Sequence, residues 1–432
     1  MARKHCLLFF LLLVSPLFLF GQSTVSERYK GLDQLLDEDS FFGNHLTGVM
    51  LYDLDEQTVQ YEKNSHLYFI PASTTKLFTF FAGYVVLNDS TSLFRYVPNG
   101  NEVTIWGTGD PSWKYEVLPQ PELEGFFKKF DKIYFSDENW KDTPMGYGWQ
   151  WDDYYYSYAA ERSPFPIYGN LAKVKNIRQN FSISPGYFEN KLKPTNRPLK
   201  KVERDPHTNL FYYNPSTCTL RESKVPFLTS PEIFSLLASQ ELGKEVIPVK
   251  KVLPEEHYIL KGIPLRALYK EMLQESDNFL AEQLLLMISD QIFKELDITQ
   301  TIDFLKKNFL SDLPDEPQWV DGSGLSRHNL ITPRSMVALI EKIYRVMPDN
   351  LLFDLLPRGG VNGTLENSYK SSSPYIFAKT GTMSNNHALA GFIKTDSGKL
   401  YAFAFMNNNY PYKATQVRKE MEKVLQYIRD NF

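Results

Sequence analysis

Disulfide chemistry has almost no material here: the 432-residue chain carries two cysteines, Cys6 and Cys218. Cys6 lies in an N-terminal segment expected to be removed, so Cys218 stands alone as a thiol and no intrachain bridge can form. The fold must be held by an apolar core, which a chain this long can supply. Metal chemistry is equally unsupported. The seven histidines are scattered singly, with no HExxH and no cysteine pair, so neither a metal nor another cofactor is expected. The glycine-rich stretch "GTGDP" (107–111) lacks both the GxGxxG spacing and the GK[ST] ending of phosphate loops, and reads as a turn. A net charge of −4 gives no basis for bulk binding to nucleic acid. Internal repeats and low-complexity tracts are missing too. The longest apolar run, "CLLFFLLLVSPLFLF", has 15 residues, short of the ~20 needed to span a membrane as a helix.

What surrounds that run is informative. "MARKH" precedes it and the small-residue stretch "GQS" follows it, the layout of a secretory signal. Residues 1–23 are therefore expected to direct export to the periplasm and be removed, leaving no stable membrane span. Over the whole chain 43% of residues are apolar and 15% aromatic, the composition of a packed globular protein of two or three domains.

"TGVMLYDLDEQTVQYEKN" (47–64) reads as two strands around a polar turn at Asp55–Gln57, and 73–88 as a buried helix. Between about 89 and 262 the texture changes to short strands, "NEVTIW" and "DKIYF" among them, separated by turns and proline-rich loops. "KLKPTNRPLKKVERD" (191–205) holds six basic residues and reads as a solvated loop. From 263 onward helical spacing returns in "LRALYKEMLQ" and "NFLAEQLLLMISDQIFKEL". "YIFAKTG" and "LAGFIKTDSGKLYAFAFMNNN" read as strands, and a helix closes the chain. The expected organisation is a catalytic domain made of 24–88 and 263–432, interrupted by one or two inserted domains at 89–262.

Chemistry is concentrated at three places. "PASTTK" puts Lys76 three residues after Ser73, and residues three apart share a helix face. Lys76 can then take the Ser73 proton, provided burial or a second cation keeps it neutral. Taken alone the pair is equally a serine cap and a lysine reaching for water, but no other serine in the chain has a lysine three residues on. "ESDNFLAEQLL" contains Ser276-Asp277-Asn278 ahead of an amphipathic helix. "FAKTGTM" contains Lys379-Thr380-Gly381 at the end of a strand. Ser384-Asn385-Asn386 also reads S-x-N, but it follows the K-T-G and precedes no helix. S-x-x-K, S-D-N and K-T-G in this order mark penicillin-binding proteins and class A β-lactamases.

The chain resembles the penicillin-binding protein 4 family of D-alanyl-D-alanine carboxypeptidase/endopeptidases, peptidase family S13. "DGSGLSRHNLITP" (321–333), "GGVNGTL" (359–365) and "AKTGTMSNNHALAGF" (378–392) resemble that family's blocks, and "GTGDPSW" and "YGWQWDD" match it more loosely. The likeness is strongest in the C-terminal third and weak between about 170 and 260. Ser276 follows Ser73 by 203 residues, far more than in a class A β-lactamase and similar to the S13 arrangement.

The resemblance implies an α/β (α+β) transpeptidase-like fold, an antiparallel sheet covered by helices and split by the insertion. It implies peptidoglycan stem peptides as substrate and β-lactams as covalent inhibitors. Ser73 would be the nucleophile, Lys76 its base and Ser276 a proton donor to the leaving amine. Asn278, Lys379, Thr380, Gly381 and Thr382 would line the substrate site. The backbone N–H groups of Ser73 and Thr382 would form the oxyanion hole. No counterpart of the β-lactamase deacylating glutamate stands out. Two other functions use the same features, a β-lactamase-like hydrolase and a non-catalytic periplasmic peptidoglycan-binding protein. The long insertion and the intact Ser73, Lys76, Ser276 and Lys379 favour the peptidase. The aromatic stretch "WQWDDYYYSY" (149–158) reads as packing inside the insertion rather than as a glycan platform.

Overall fold

The computed structural model describes residues 17–432, with side chains from residue 27. Residues 1–16, most of the expected export signal, lie outside the described residues. Among the described residues no helix is long and apolar enough to cross a membrane.

The central sheet has five antiparallel strands in the order Ile376–Met383, Asn386–Lys394, Leu400–Asn408, Leu46–Asp53 and Thr58–Lys63. Strands from both ends of the sequence thus share one ladder. Side chains alternate between its faces with period two. Ala402, Ala404 and Met406 turn to one core, while Tyr401, Phe403 and Phe405 turn to another. The first face carries helices Lys76–Val86, Leu265–Gln274, Asn278–Phe293 and Pro333–Val346. Helices Leu17–Leu36 and Ala414–Asn431 cover the second. Small residues on the first face let the helices approach closely.

Local sequence explains the elements that reach the site. Leu265, Leu268, Tyr269, Met272 and Leu273 are buried along one stripe of their helix, the i, i+3, i+4, i+7, i+8 spacing of a helix on a core. Helix Asn278–Phe293 is buried from Phe279 through Asp290, Glu282, Gln283, Ser289 and Asp290 included, so it is enclosed on all sides rather than on one face as an amphipathic helix would be. Asp277 caps it, its Oδ1 accepting the Leu280 N–H at 3.0 Å.

The chain leaves this body at strand Ser90–Asn99 and returns through Tyr258–Pro264, which pair antiparallel, Ser90 opposite Pro264. Between them lies a mixed sheet ordered Val246–Pro248, Lys132–Ser136, Glu102–Gly107, Ser90–Asn99 and Tyr258–Pro264, and two small three-stranded sheets. These residues have their own core, including Phe94, Phe127, Phe135, Phe165, Phe188 and Phe234. The basic stretch 191–205 is less solvated than its composition suggests. Arg204 is buried, and its guanidinium donates to the carbonyls of Pro226 and Asp205. It satisfies backbone oxygens that would otherwise be stranded.

Candidate active site

Ser73 does not open an α-helix. It sits in the 3-10 turn Ala72–Thr75, which runs into the α-helix starting at Lys76. Ala72, just before it, is held at φ +47°, a left-handed conformation that costs an L-residue about 1 kcal/mol or more. Two glycines hold this turn from opposite sides. A Cβ on Gly324 would lie 1.9 Å from the Ala72 carbonyl oxygen, and one on Gly381 would lie 2.3 Å from that of Pro71 and 3.0 Å from the Ser73 nitrogen. The K-T-G glycine is thus required because the edge strand runs directly against the nucleophile turn.

Lys76 is fully buried. Its Nζ bonds Ser73 Oγ at 3.0 Å, Asn278 Oδ1 at 2.7 Å and the Ser323 carbonyl at 2.7 Å. Burial lowers its pKa to about 8, against the opposing pull of Asp321, Asp277 and Glu282. At pH 7 about one Lys76 in ten is then neutral.

Ser276 and Lys379 form a second pair. Lys379 Nζ donates to Ser276 Oγ at 2.7 Å and to the Thr380 carbonyl at 2.9 Å. Ser276 is also held at positive φ, +63°. Lys379 is buried, and burial followed by repulsion from Lys76 pushes its pKa well down. No carboxylate offsets this at Lys379, whereas three do at Lys76. Burial and mutual repulsion thus act against two simultaneous charges on the two lysines.

All eight predicted site residues lie on these converging elements, but not all face open space. Asn278 has both ends of its amide occupied, the oxygen by Lys76 and Nδ2 by the Tyr158 carbonyl at 3.0 Å. In this state it orients the lysine. Thr380 Oγ1 donates to Thr364 Oγ1 at 2.8 Å, inside the block "GGVNGTL". Thr382 Oγ1 meets His387 Nδ1 at 2.8 Å and Arg418 Nη2 at 3.3 Å.

Several contributors carried no signal of their own. Asp321 is fully buried and accepts from the Gly324 and Ser326 N–H groups, Asn329 Nδ2 and, at 3.0 Å, Trp149 Nε1. Glu282 Oε1 accepts the Ser323 N–H at 2.8 Å, which fixes the carbonyl that Lys76 binds. Its Oε2 has no hydrogen-bond partner and lies 3.5 Å from Arg162 Nη1. Burial, with Asp321 adding to it and Arg162 opposing, raises the Glu282 pKa to about 7. Tyr115 donates to Asp277 Oδ2 at 2.5 Å. Trp149, Tyr158, Arg162 and Tyr115 all come from the excursion between residues 90 and 264, so the insertion supports the floor of the cleft. The aromatic stretch divides accordingly: Trp149 is a structural donor, whereas Trp151 is 86% exposed. Among the described residues no group of three His, Cys, Asp or Glu side chains is placed to hold a metal ion.

The family model of the D-Ala-D-Ala carboxypeptidase 3 (S13) family matches residues 29–186 and 250–431, and so covers all eight positions. The unmatched segment falls where the sequence resemblance was weak. The chain is 25% identical over 438 residues to D-alanyl-D-alanine carboxypeptidase DacB of Haemophilus influenzae, covering 89% of each chain. It is 27% identical over 216 residues to carboxypeptidase DacB of Mycolicibacterium smegmatis, covering 45% of each. The crystal structure of penicillin binding protein 4 (dacB) from Haemophilus influenzae superposes with a TM-score of 0.69 at 23% identity, covering 93% of this chain and 97% of that one. The same protein complexed with a β-lactam gives 0.66 at 21% identity, over 94% and 98%. These two structures share the α/β fold described above, and the chain belongs to the D-Ala-D-Ala carboxypeptidase 3 (S13) family.

Proposed function

We propose that the chain is a serine-type D-Ala-D-Ala carboxypeptidase/endopeptidase of peptidoglycan stem peptides, acylated on Ser73 by substrate and by β-lactams alike. The observation that carries this reading is the 3.0 Å contact between Ser73 Oγ and the buried Lys76 Nζ. Neutral Lys76 accepts the hydroxyl proton as Ser73 attacks the carbonyl between the two D-alanines. The N–H groups of Ser73 and Thr382 stabilise the resulting oxyanion. As the C–N bond breaks, Ser276 gives its hydroxyl proton to the leaving amine and takes one from Lys76 in exchange, so the acyl-enzyme forms with Lys76 neutral again. Lys76 then activates the water that releases the shortened peptide. Lys379 supports Ser276, and Asn278 holds Lys76 in line.

The DacB relatives and the β-lactam complex of the Haemophilus protein support this assignment. The enzyme would work in the periplasm after removal of residues 1–23. We place its catalytic domain in 24–88 and 263–432, with 89–262 as inserted domains. Release of D-alanine from a synthetic peptide ending in D-Ala-D-Ala tests the reading. Wild type should release it, and Ser73→Ala and Lys76→Met should not. Release by Ser73→Ala would overturn the assignment. A bound penicillin that persists for many minutes separates this reading from a β-lactamase, which would clear it.

A further inference from the structure

Trp151 and Tyr147 stand in water beside the cleft. They are 86% and 73% exposed, and Trp151 is the most exposed large apolar side chain among the described residues. The two flank Trp149 in the chain, and Trp149 is anchored to the site. Its Nε1 donates to Asp321, whose Oδ1 accepts the N–H of Gly324, the glycine packed on the nucleophile turn. Tyr147 lies against His328, the ring centroids 5.0 Å apart. The loop that carries Trp151 is braced from within, because Asp153 accepts the Gln150 N–H at 3.0 Å and the Tyr158 hydroxyl at 2.8 Å. The Tyr158 carbonyl accepts in turn from Asn278. Packing inside the insertion thus accounts for Trp149, whereas the fold holds Trp151 and Tyr147 in place and leaves them uncovered. An aromatic ring buries about 150–250 Å² against a partner. Two of them fall short of the ~800 Å² per side of a stable protein interface, and suit one or two sugar rings.

We infer that Trp151 and Tyr147 form a platform for the glycan strand that bears the stem peptide, stacking against the apolar C–H faces of its amino sugars. Such a face sheds water onto an indole while the sugar hydroxyls stay solvated. A stem peptide is only a few residues long, and each residue spans at most ~3.5 Å. A stem delivered to Ser73 therefore keeps its sugar at the rim of the cleft, where these rings stand. The inference rests on the peptidase reading above and extends it from the peptide to the sugar that carries it.

The test compares two substrates with the same stem peptide ending in D-Ala-D-Ala, one free and one attached to its N-acetylglucosaminyl-N-acetylmuramoyl disaccharide. Wild type should prefer the disaccharide form in kcat/KM. Trp151→Ala should reduce that preference about 3- to 10-fold, the size of one aromatic stacking contact. Trp151→Phe should retain part of it, and Tyr147→Ala should add to the loss. No preference in wild type, or a preference unchanged in Trp151→Ala, would overturn the inference, whatever happens to the overall rate. Cleavage of neither substrate by wild type would instead overturn the peptidase reading on which it rests.

Discussion

Glu282 offers a sharp perturbation of the catalytic base. It is fully buried, its Oε1 holds the Ser323 N–H, and the Ser323 carbonyl holds Lys76. Its negative charge is one of three that hold protons on Lys76. Glu282→Gln keeps the shape and removes the charge, so Lys76 should lose its proton more easily. Glu282, with a pKa of about 7, is only about half ionised at pH 7, so its replacement is expected to lower the Lys76 pKa by roughly half to one unit, about 0.7–1.4 kcal/mol. Starting from about 8, the neutral fraction at pH 7 rises from about a tenth to between a quarter and a half. Acylation by benzylpenicillin should then be about two- to fivefold faster at pH 7, and the two enzymes should converge above pH 9. Stopped-flow acylation between pH 5.5 and 9.5 measures the rising limb directly. Its midpoint should move to lower pH in the variant. Superimposable limbs, or a shift to higher pH, would refute the electrostatic coupling.

The same substitution has a thermodynamic signature. Glu282 has a raised pKa, so the folded protein binds more protons than the unfolded chain between the ordinary 4.5 and about 7. Stability contributed by its neutral form is present below this window and is lost as pH rises through it. The melting temperature of Glu282→Gln relative to wild type should therefore improve as pH goes from 4.5 to 7, and a constant difference would contradict this. Gly381→Ala places a Cβ 2.3 Å from the Pro71 carbonyl, forcing strand and nucleophile turn apart. Acylation should fall about 100-fold, and a near-normal rate would mean the turn is not held by this contact. Trp149→Phe removes the indole donor to buried Asp321. It should cost ~1–3 kcal/mol in chemical denaturation, with a slower acylation, and wild-type values for both would remove the insertion from the account of the cleft.

How much of this was readable in advance depends on the range of each interaction. Ser73 and Lys76 are three residues apart, so helical geometry alone joins them. Ser276 and Lys379 were legible because their motifs stand just before a helix and in a strand, although the strand runs on past the K-T-G to Met383 rather than ending there. The period-two pattern of 400–408 and the stripe of 265–274 placed the sheet and its covering helices. Three things were not legible. The nucleophile turn is 3-10 rather than α, a consequence of Gly324 and Gly381 packing against it from segments hundreds of residues away. Asn278 supports the lysine in the free enzyme because Tyr158, from an aromatic stretch with no periodic pattern, occupies its other end. Glu282 looks like an ordinary charged position on a helix, and only tertiary packing reveals that its Oε2 lacks a hydrogen-bond partner.

The central claim is that Ser73 is the residue acylated. Mass spectrometry of a protease digest, after brief exposure of the purified protein to benzylpenicillin, tests it most directly. The account predicts one modified peptide, carrying the penicilloyl adduct on Ser73 and missing from Lys76→Met. An adduct on Ser276 or Ser384, or unchanged labelling without Lys76, would contradict it.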